Sequence, residues 1–284
     1  MAGRWHTIEA GGRPLRVLED GDPDGAMVLL HHGTPGAGRI HPPWAEDAAQ
    51  RGLRLVTYDR PGYGESARDA GRTVASAAGD AAAIADALGA ERFATWGTSG
   101  GGPHALACAA LLGDRVVAAA TLASPAPRID GVDFLGGMGK DNVEEFKAAF
   151  AGEPALRALL ERVASAENVV DLESLFSPVD MAVMGGPVGA FLIATIEEGT
   201  KPGLDGWVDD DLAFVGPWGF DPADITVPVQ LWQGRQDWMV PYAHGEWLAR
   251  RLLRVDPRFS PDEGHVTLLE RRVKDVHAFL AERL

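Results

Sequence analysis

The most constraining feature of this 284-residue sequence is the repeated alternation of predicted strands and helices up to residue 122. Short apolar runs such as residues 26–31 are typical of strands buried in a sheet. This order implies right-handed crossovers and a mostly parallel sheet, with ligands bound at the carboxyl ends of its strands. The pattern predicts strands at 13–19, 26–31, 53–58, 93–97 and 116–122, and helices at 42–51, 74–88 and 100–112.

The alternation stops after the Pro-Ala-Pro at residues 125–127 and resumes at residue 227. Between them the sequence predicts helices at 142–150, 154–166, 170–176 and 188–197 and no strand of the earlier kind. The later part predicts a strand at 227–232, a helix at 242–253, a short strand near Arg258 and a final helix at 267–283. We therefore predict an α/β core domain made of residues 1–126 and 227–284, with residues 127–226 as a helical insertion.

Most of the net charge of −15 lies in this insertion, which holds 19 acidic and six basic residues. A polyanion such as a nucleic acid, or an anionic membrane, would be repelled at long range. We therefore expect a small-molecule substrate and neither a nucleic-acid nor a membrane partner.

The compartment is predicted from cysteine usage and from the apolar runs. Cys108 is the single cysteine, so neither an intramolecular disulfide nor a thiolate zinc site is expected. The first residues lack the apolar stretch of a signal peptide, and the longest apolar run, residues 181–196, is interrupted by glycine and proline. These features predict a cytoplasmic protein.

Residues 97–101 read Gly-Thr-Ser-Gly-Gly and fit the pattern G-x-S-x-G between a predicted strand and a predicted helix. In that context Ser99 sits on a strained turn, with its hydroxyl above the sheet and the helix N-terminus facing a developing oxyanion. The alternative is a glycine-rich helix start with a capping serine. The flanking strand and helix favour a nucleophile.

A serine nucleophile needs a base to take its proton and an acid to orient that base. The order Ser, acid, His along the chain is one of those known for such triads. Asp237 follows the strand that ends near residue 233, and His265 lies between the last predicted strand and the last helix. We predict Ser99, Asp237 and His265 as a catalytic triad. The acids that compete with Asp237 in this prediction are Asp130, Asp133, Asp256, Asp262 and Glu263.

An oxyanion hole needs two N–H donors, one of them from the residue after the nucleophile, which is Gly100. The other comes from the loop that leaves the strand at 26–31, and this loop reads His-Gly-Thr-Pro-Gly at residues 32–36. Pro35 has no N–H, so the amides of Thr34 and Gly100 are the predicted donors.

Several segments together resemble the capped branch of the α/β-hydrolase superfamily. They are residues 32–36, the Asp-Arg-Pro-Gly-Tyr-Gly-Glu-Ser segment at 59–66, residues 97–101, and the late Asp237 and Gly264-His265. The resemblance implies a sheet of about eight strands flanked by helices, with a helical cap after the sixth strand. It also implies that His32 holds its loop by hydrogen bonds.

The resemblance and the predicted triad favour a cofactor-independent serine hydrolase that cleaves a small to medium carboxylic ester through an acyl-enzyme. The acidic insertion favours a neutral or cationic substrate. The alternatives are an aminopeptidase similar to proline iminopeptidases, a carbon–carbon-bond hydrolase or cofactor-free haloperoxidase, and a receptor-like homologue without turnover. Ser99 argues against epoxide hydrolases and haloalkane dehalogenases, which use an aspartate nucleophile. The sequence leaves the oligomeric state open.

Other polar residues are expected to be structural. We expect His31 and His104 to pack in the core, and no histidine spacing fits a metal site, so no metal is predicted. Residues 209–211, three consecutive aspartates, are expected to form a solvated surface or a helix start.

Apolar side chains of the insertion and of the loop after residue 233 are expected to line an acyl pocket, because such pockets are mostly apolar. The predicted lining residues are Met181, Met184, Trp218 and Trp238.

Overall fold

The computed structural model describes residues 3–165 and 172–284 and contains one eight-stranded sheet. The strands are β1 (Arg4–Ala10), β2 (Arg13–Gly21), β3 (Ala26–His31), β4 (Leu53–Tyr58), β5 (Phe93–Thr98), β6 (Val116–Leu122), β7 (Val229–Gly234) and β8 (Val255–Ser260). Their order across the sheet is β1-β2-β4-β3-β5-β6-β7-β8. β2 is antiparallel to β1 and β4, and all other neighbours are parallel, which confirms the predicted fold class.

β1 is missing from the sequence prediction. It pairs with β2 along all seven of its residues at the edge of the sheet, but only Ile8 and Ala10 are buried in it. Backbone pairing therefore carries most of its stability, and the apolar alternation that would reveal a strand is weak.

Helices cover both faces of the sheet, as the crossovers require. α1 (Pro42–Gln50) and α11 (His265–Ala281) pack on one face. The other face is covered by α2 (Ser76–Ala87), α3 (Gly101–Leu111) and α10 (Tyr242–Arg251). Alternate residues of β3 point to the two faces, so this strand is buried on both sides.

Residues 127–226, which we call the cap segment, follow β6 and precede β7. Their described part contains helices and no strand, in line with the prediction. The ends of two predicted helices, residue 166 and residues 170–171, lie outside the described residues. That this segment forms a separate domain remains a prediction. Its helices are α4 (Lys140–Ala151), α5 (Glu153–Ala164), α6 (Leu172–Leu175), α7 (Pro178–Met184), α8 (Pro187–Thr200) and α9 (Asp205–Val215), followed by a 3-10 turn at Pro222–Asp224.

The apolar run at residues 181–196 falls on α7 and α8. Within the described part of the chain, no single helix has the length and hydropathy needed to cross a membrane. α7 and α8 meet both criteria only when taken together, and they are bent by 84° at their junction.

Candidate active site

Ser99 lies on the turn between β5 and α3, with a backbone φ of 52°. This left-handed conformation is strained for a residue with a side chain and is characteristic of functional turns. The turn is held by a hydrogen bond from the Ser99 N–H to the Leu122 carbonyl at 2.8 Å. A Cβ on Gly97 would collide with the carbonyl of Gly101, so the strand and the helix can approach this closely only with glycine there.

Asp237 and His265 meet at the same edge of the sheet, after β7 and β8. The Oδ2 atom of Asp237 lies 2.9 Å from Nδ1 of His265. Its other oxygen, Oδ1, accepts the N–H groups of Met239 and Val240 at 2.9 and 2.8 Å, which fixes the carboxylate plane. Nδ1 of His265 therefore carries a proton, and Nε2 is left free to act as a base. The structure brings these two residues together as expected, and their catalytic role remains a prediction.

The pKa of His265 is raised above its ordinary value of 6.5. Burial acts in the opposite direction, but the charge and hydrogen bond of Asp237, together with the charge of Asp180, outweigh it. Burial also raises the pKa of Asp237, and His265 partly offsets this rise. The charges of Asp237 and Asp180 therefore stabilise the imidazolium that forms when His265 accepts a proton.

The acids that compete with Asp237 in the sequence have other surroundings. Asp130 and Asp262 are exposed, and Asp133 accepts the N–H of Gly136 in its own loop. Asp256 pairs with Arg258, and Glu263 pairs with Arg272 although it is only two residues from His265. Asp237 is thus the acid that the geometry favours.

A pocket of about 40 Å³ lies beside Ser99, between the sheet and the cap segment. Thr34 and Gly100 both line it, so the two predicted oxyanion-hole residues flank the serine. That their amides bind an oxyanion remains a prediction. The other lining residues are Pro125, Met138, Asn142, Glu145, Phe146, Asp211, Phe214, Met239 and Val240.

The predicted lining residues Met181, Met184, Trp218 and Trp238 lie elsewhere than on this pocket. Trp218 is buried in the core, where its indole N–H donates to the carbonyl of Phe214. Trp238 is 38 % exposed, and Met184 packs against the core on the α11 face. Met181 is half-buried. The direction of each side chain determines whether it lines the pocket. In the loop after β7, Trp238 faces solvent while Met239 and Val240 line the pocket.

His32 holds the loop at residues 32–36, as the resemblance implied. Its Nδ1 donates to the carbonyl of Gly33 at 2.8 Å, and its Nε2 accepts the N–H of Arg60 at 3.2 Å. Burial and the charge of Arg60 hold the pKa of His32 well below its ordinary value, so the ring is neutral. His31 and His104 are both buried, and His104 donates to the carbonyl of Gly100 at 2.8 Å.

The prediction that Asp209–Asp211 are solvated is wrong, because all three are at most 3 % exposed. For Asp209 and Asp210 the reason is a set of arginines on the loop between β4 and α2. Arg60 and Arg72 each contact Asp210 at 2.6 Å, and Arg68 forms two hydrogen bonds with Asp209. The charges of Arg60 and Arg72 hold the pKa of Asp210 well below its usual range in spite of burial.

Asp210 also connects the cap segment to the loop beside Ser99. Its Oδ2 accepts the hydroxyl of Thr34 at 2.6 Å and that of Tyr63 at 2.9 Å. A sequence signal for this network exists in the Asp-Arg-Pro-Gly-Tyr segment at residues 59–63, because Arg60 and Tyr63 both belong to it.

Asp210→Ala is expected to lower the free energy of unfolding by about 3–5 kcal/mol, since it leaves buried arginines without their carboxylate. The matched control is Asp205→Ala in the same helix. Asp205 pairs with Arg157 at 2.9 Å but is 43 % exposed, so its loss should cost no more than about 1 kcal/mol. Urea unfolding measures both, and equal losses would contradict the structural role of Asp210.

Neither a metal site nor a reactive thiol is evident in the part of the chain that the structure describes. In residues 3–165 and 172–284, no group of three or more His, Cys, Asp or Glu side chains is placed to hold a metal ion. Cys108 is fully buried in α3, and burial raises the pKa of its thiol far above the ordinary value. Such a thiol is unreactive.

A strained serine after a central parallel strand, with a histidine and an acid after later strands, is the arrangement typical of the α/β-hydrolase fold. The chain belongs to the alpha/beta hydrolase fold family, whose model matches residues 26–272.

Individual relatives of the chain include enzymes of different chemistry. The chain is 32 % identical to Epoxide hydrolase A of Mycobacterium tuberculosis over 126 residues, which are 42 % of this chain and only 38 % of that protein. Among solved structures, it resembles an esterase from Thermogutta terrifontis (TM-score 0.71, 19 % identity) and a bromoperoxidase from Bacillus anthracis (TM-score 0.73, 19 % identity), each over 98 % of both chains. At these identities the structural likeness shows the fold alone.

Proposed function

We propose that this protein is a serine hydrolase that cleaves a small to medium carboxylic ester. The observation that carries the proposal is the strained Ser99 on the pocket wall, at the sheet edge where Asp237 orients His265. The esterase among its structural relatives is consistent with it, whereas the similarity to Epoxide hydrolase A covers less than half of the chain. Ser99 replaces the aspartate nucleophile that epoxide hydrolases use.

The mechanism follows from the roles of the three side chains. Nε2 of His265 takes the hydroxyl proton while Oγ of Ser99 attacks the ester carbonyl, and the amides of Thr34 and Gly100 stabilise the oxyanion. The tetrahedral intermediate expels the alcohol, which receives the proton from His265. A water molecule, deprotonated by His265, then attacks the acyl-enzyme, and His265 returns this proton to Oγ of Ser99 as the acid leaves.

The polarity of the pocket supports a neutral or cationic substrate. Glu145 and Asp211 lie together on its wall, and Glu145 accepts the indole N–H of Trp207 at 2.8 Å. Burial raises the pKa of both carboxyls, and the neighbouring charge of Glu145 raises that of Asp211 further. A buried carboxyl pair of this kind disfavours a further negative charge beside it. An anionic substrate group would be repelled there.

The net charge of the whole cap segment is a weaker argument for this preference. Core arginines neutralise several of its acids, including Asp209, Asp210 and Glu198. The charge that a substrate meets is therefore that of the pocket wall.

The same acid pair favours a second candidate, an aminopeptidase that binds the substrate ammonium at Glu145 and Asp211. Comparing amino-acid 4-nitroanilides with 4-nitrophenyl esters of matched acyl groups separates the two functions. The esterase proposal requires the esters to be cleaved and the uncharged acyl groups to be accepted. Exclusive cleavage of free-amine anilides would establish the second candidate instead.

Glu145→Gln and Asp211→Asn are expected to lower the kcat/KM ratio of cationic over neutral acyl esters by at least about ten-fold, because a hydrogen bond to a charged group contributes ~1.5–3 kcal/mol. Glu144→Gln is the matched control, because Glu144 is the exposed neighbour in α4 and is absent from the pocket wall. An unchanged ratio in both pocket variants, or a preference of the wild type for anionic acyl groups, would refute this specificity.

A further inference from the structure

Asp180 of the cap segment lies against the start of the helix that carries His265. It is fully buried in the first turn of α7. Its Oδ2 accepts the N–H of His265 at 2.8 Å, and its Oδ1 accepts those of Val266 and Thr267 at 2.9 Å each. These are the first amides of α11, which have no partner within the helix. One carboxylate therefore satisfies all three.

The sequence around His265 requires such an outside partner. The residue that precedes α11 is Gly264, which has no side chain to cap the helix, and a Cβ there would collide with the carboxylate of Asp180. The hydroxyl of Thr267 closes the arrangement, because it accepts the N–H of Gly264 at 2.7 Å and donates to Oδ1 of Asp180 at 3.0 Å. Capping that is usually local thus comes from a residue 85 positions earlier in the chain.

The backbone of His265 is therefore fixed from the cap segment, while its ring is fixed by Asp237 from the core. We propose that Asp180 is a positioning residue of the serine hydrolase, holding the first turn of α11 so that His265 keeps the orientation needed to act on Ser99. This role rests on the function proposed above. It makes the docking of α7 on α11 a condition for an active base, since separating the two helices would remove the three backbone hydrogen bonds at residues 265–267.

The charge of Asp180 adds a measurable signature. The charged groups that act on the His265 ring are Asp237, from the loop after β7, and Asp180, from α7. Glu263 on the preceding loop is paired with Arg272 at 2.8 Å. Removing the charge of Asp180 should lower the pKa of His265, because the imidazolium loses a stabilising anion. Reactions that need neutral His265 would then persist to lower pH.

The test is the rate at which a fluorophosphonate labels Ser99 in the folded protein, measured against pH. Asp180→Asn keeps the side-chain volume but removes the negative charge. One carboxylate oxygen is replaced by an NH₂ group, which cannot accept a helix N–H, and the remaining amide oxygen is a weaker acceptor than a carboxylate oxygen. We expect labelling to be about 10- to 100-fold slower, as for small displacements of a catalytic group, with its midpoint shifted to lower pH. Asp221→Asn is the control. Asp221 also accepts a backbone N–H, that of Ala223, but it pairs with Arg251 of α10 and not with the helix that carries His265.

The outcomes separate this inference from the proposed function. Labelling of Asp180→Asn at the wild-type rate and midpoint would overturn the inference alone. A purely structural role would lower the free energy of unfolding without moving the midpoint, and that too would overturn it. Wild-type protein that is not labelled would overturn the proposed function, and the role of Asp180 with it.

A milder variant covers the case in which Asp180→Asn does not fold. Thr267→Val removes the hydroxyl that joins Gly264 to Asp180 and keeps the carboxylate charge. Slower labelling with an unchanged midpoint would support positioning by Asp180, whereas labelling at the wild-type rate would contradict it.

Discussion

Ser99→Ala is expected to lower ester turnover by about 10⁴- to 10⁶-fold, as removal of the nucleophile does in other serine hydrolases. The hydroxyl oxygen is the only heavy atom that this change removes, and alanine tolerates a φ of 52° no worse than serine does. The free energy of unfolding should therefore stay within about 0.5 kcal/mol of that of the wild type. The measurements are kcat/KM on 4-nitrophenyl esters and urea unfolding.

The matched control is Ser124→Ala, which removes another buried hydroxyl packed near the start of α3. Ser124 is 1 % exposed and donates to the carbonyl of Pro125. Its loss should leave the chemistry intact. Near-wild-type turnover by Ser99→Ala on every ester tested would rule out the serine mechanism.

Asp237→Asn is expected to lower kcat by about 10⁴-fold through the wrong histidine tautomer. Oδ1 of Asp237 accepts the N–H groups of Met239 and Val240, so the amide oxygen of asparagine would take that place. Its NH₂ group would then face Nδ1 of His265, where a carboxylate oxygen now accepts a hydrogen bond. His265 would then adopt the other tautomer, in which Nδ1 accepts a hydrogen bond and Nε2 carries the proton. Nε2 could no longer take the hydroxyl proton of Ser99.

The comparison for this variant is Asp130→Asn, which changes an exposed carboxylate just after the end of β6. Asp130→Asn should leave kcat unchanged. If Asp237→Asn were silent and Asp130→Asn were not, the acid of the triad would be misassigned.

Local sequence signals were sufficient for the core of the fold and for the placement of Asp237 beside His265. The apolar strands and the glycines around Ser99 depend on short-range constraints, namely burial on both sheet faces and close packing of β5 on α3. The proximity of Asp237 and His265 follows because residues after parallel strands collect at one sheet edge. β1 escaped prediction because few of its side chains are buried.

Carboxylates of the cap segment were the part that the sequence could not resolve. An aspartate reads as a solvated residue unless its partner is known, and the partners of Asp210 and Asp180 lie about 150 and 85 positions away. The pairing of Glu145 with Asp211 likewise depends on how α4 packs against α9. The predicted lining residues lie away from the pocket for a related reason, since the sequence alone does not show which of Trp238 and Met239 lines it.

Ser99 is the proposed nucleophile, and intact-mass analysis after treatment with a fluorophosphonate tests this role. We expect one adduct per chain, mapped to the peptide that contains Ser99 and absent from Ser99→Ala. Wild-type protein without an adduct, or an adduct that persists in Ser99→Ala, would contradict it.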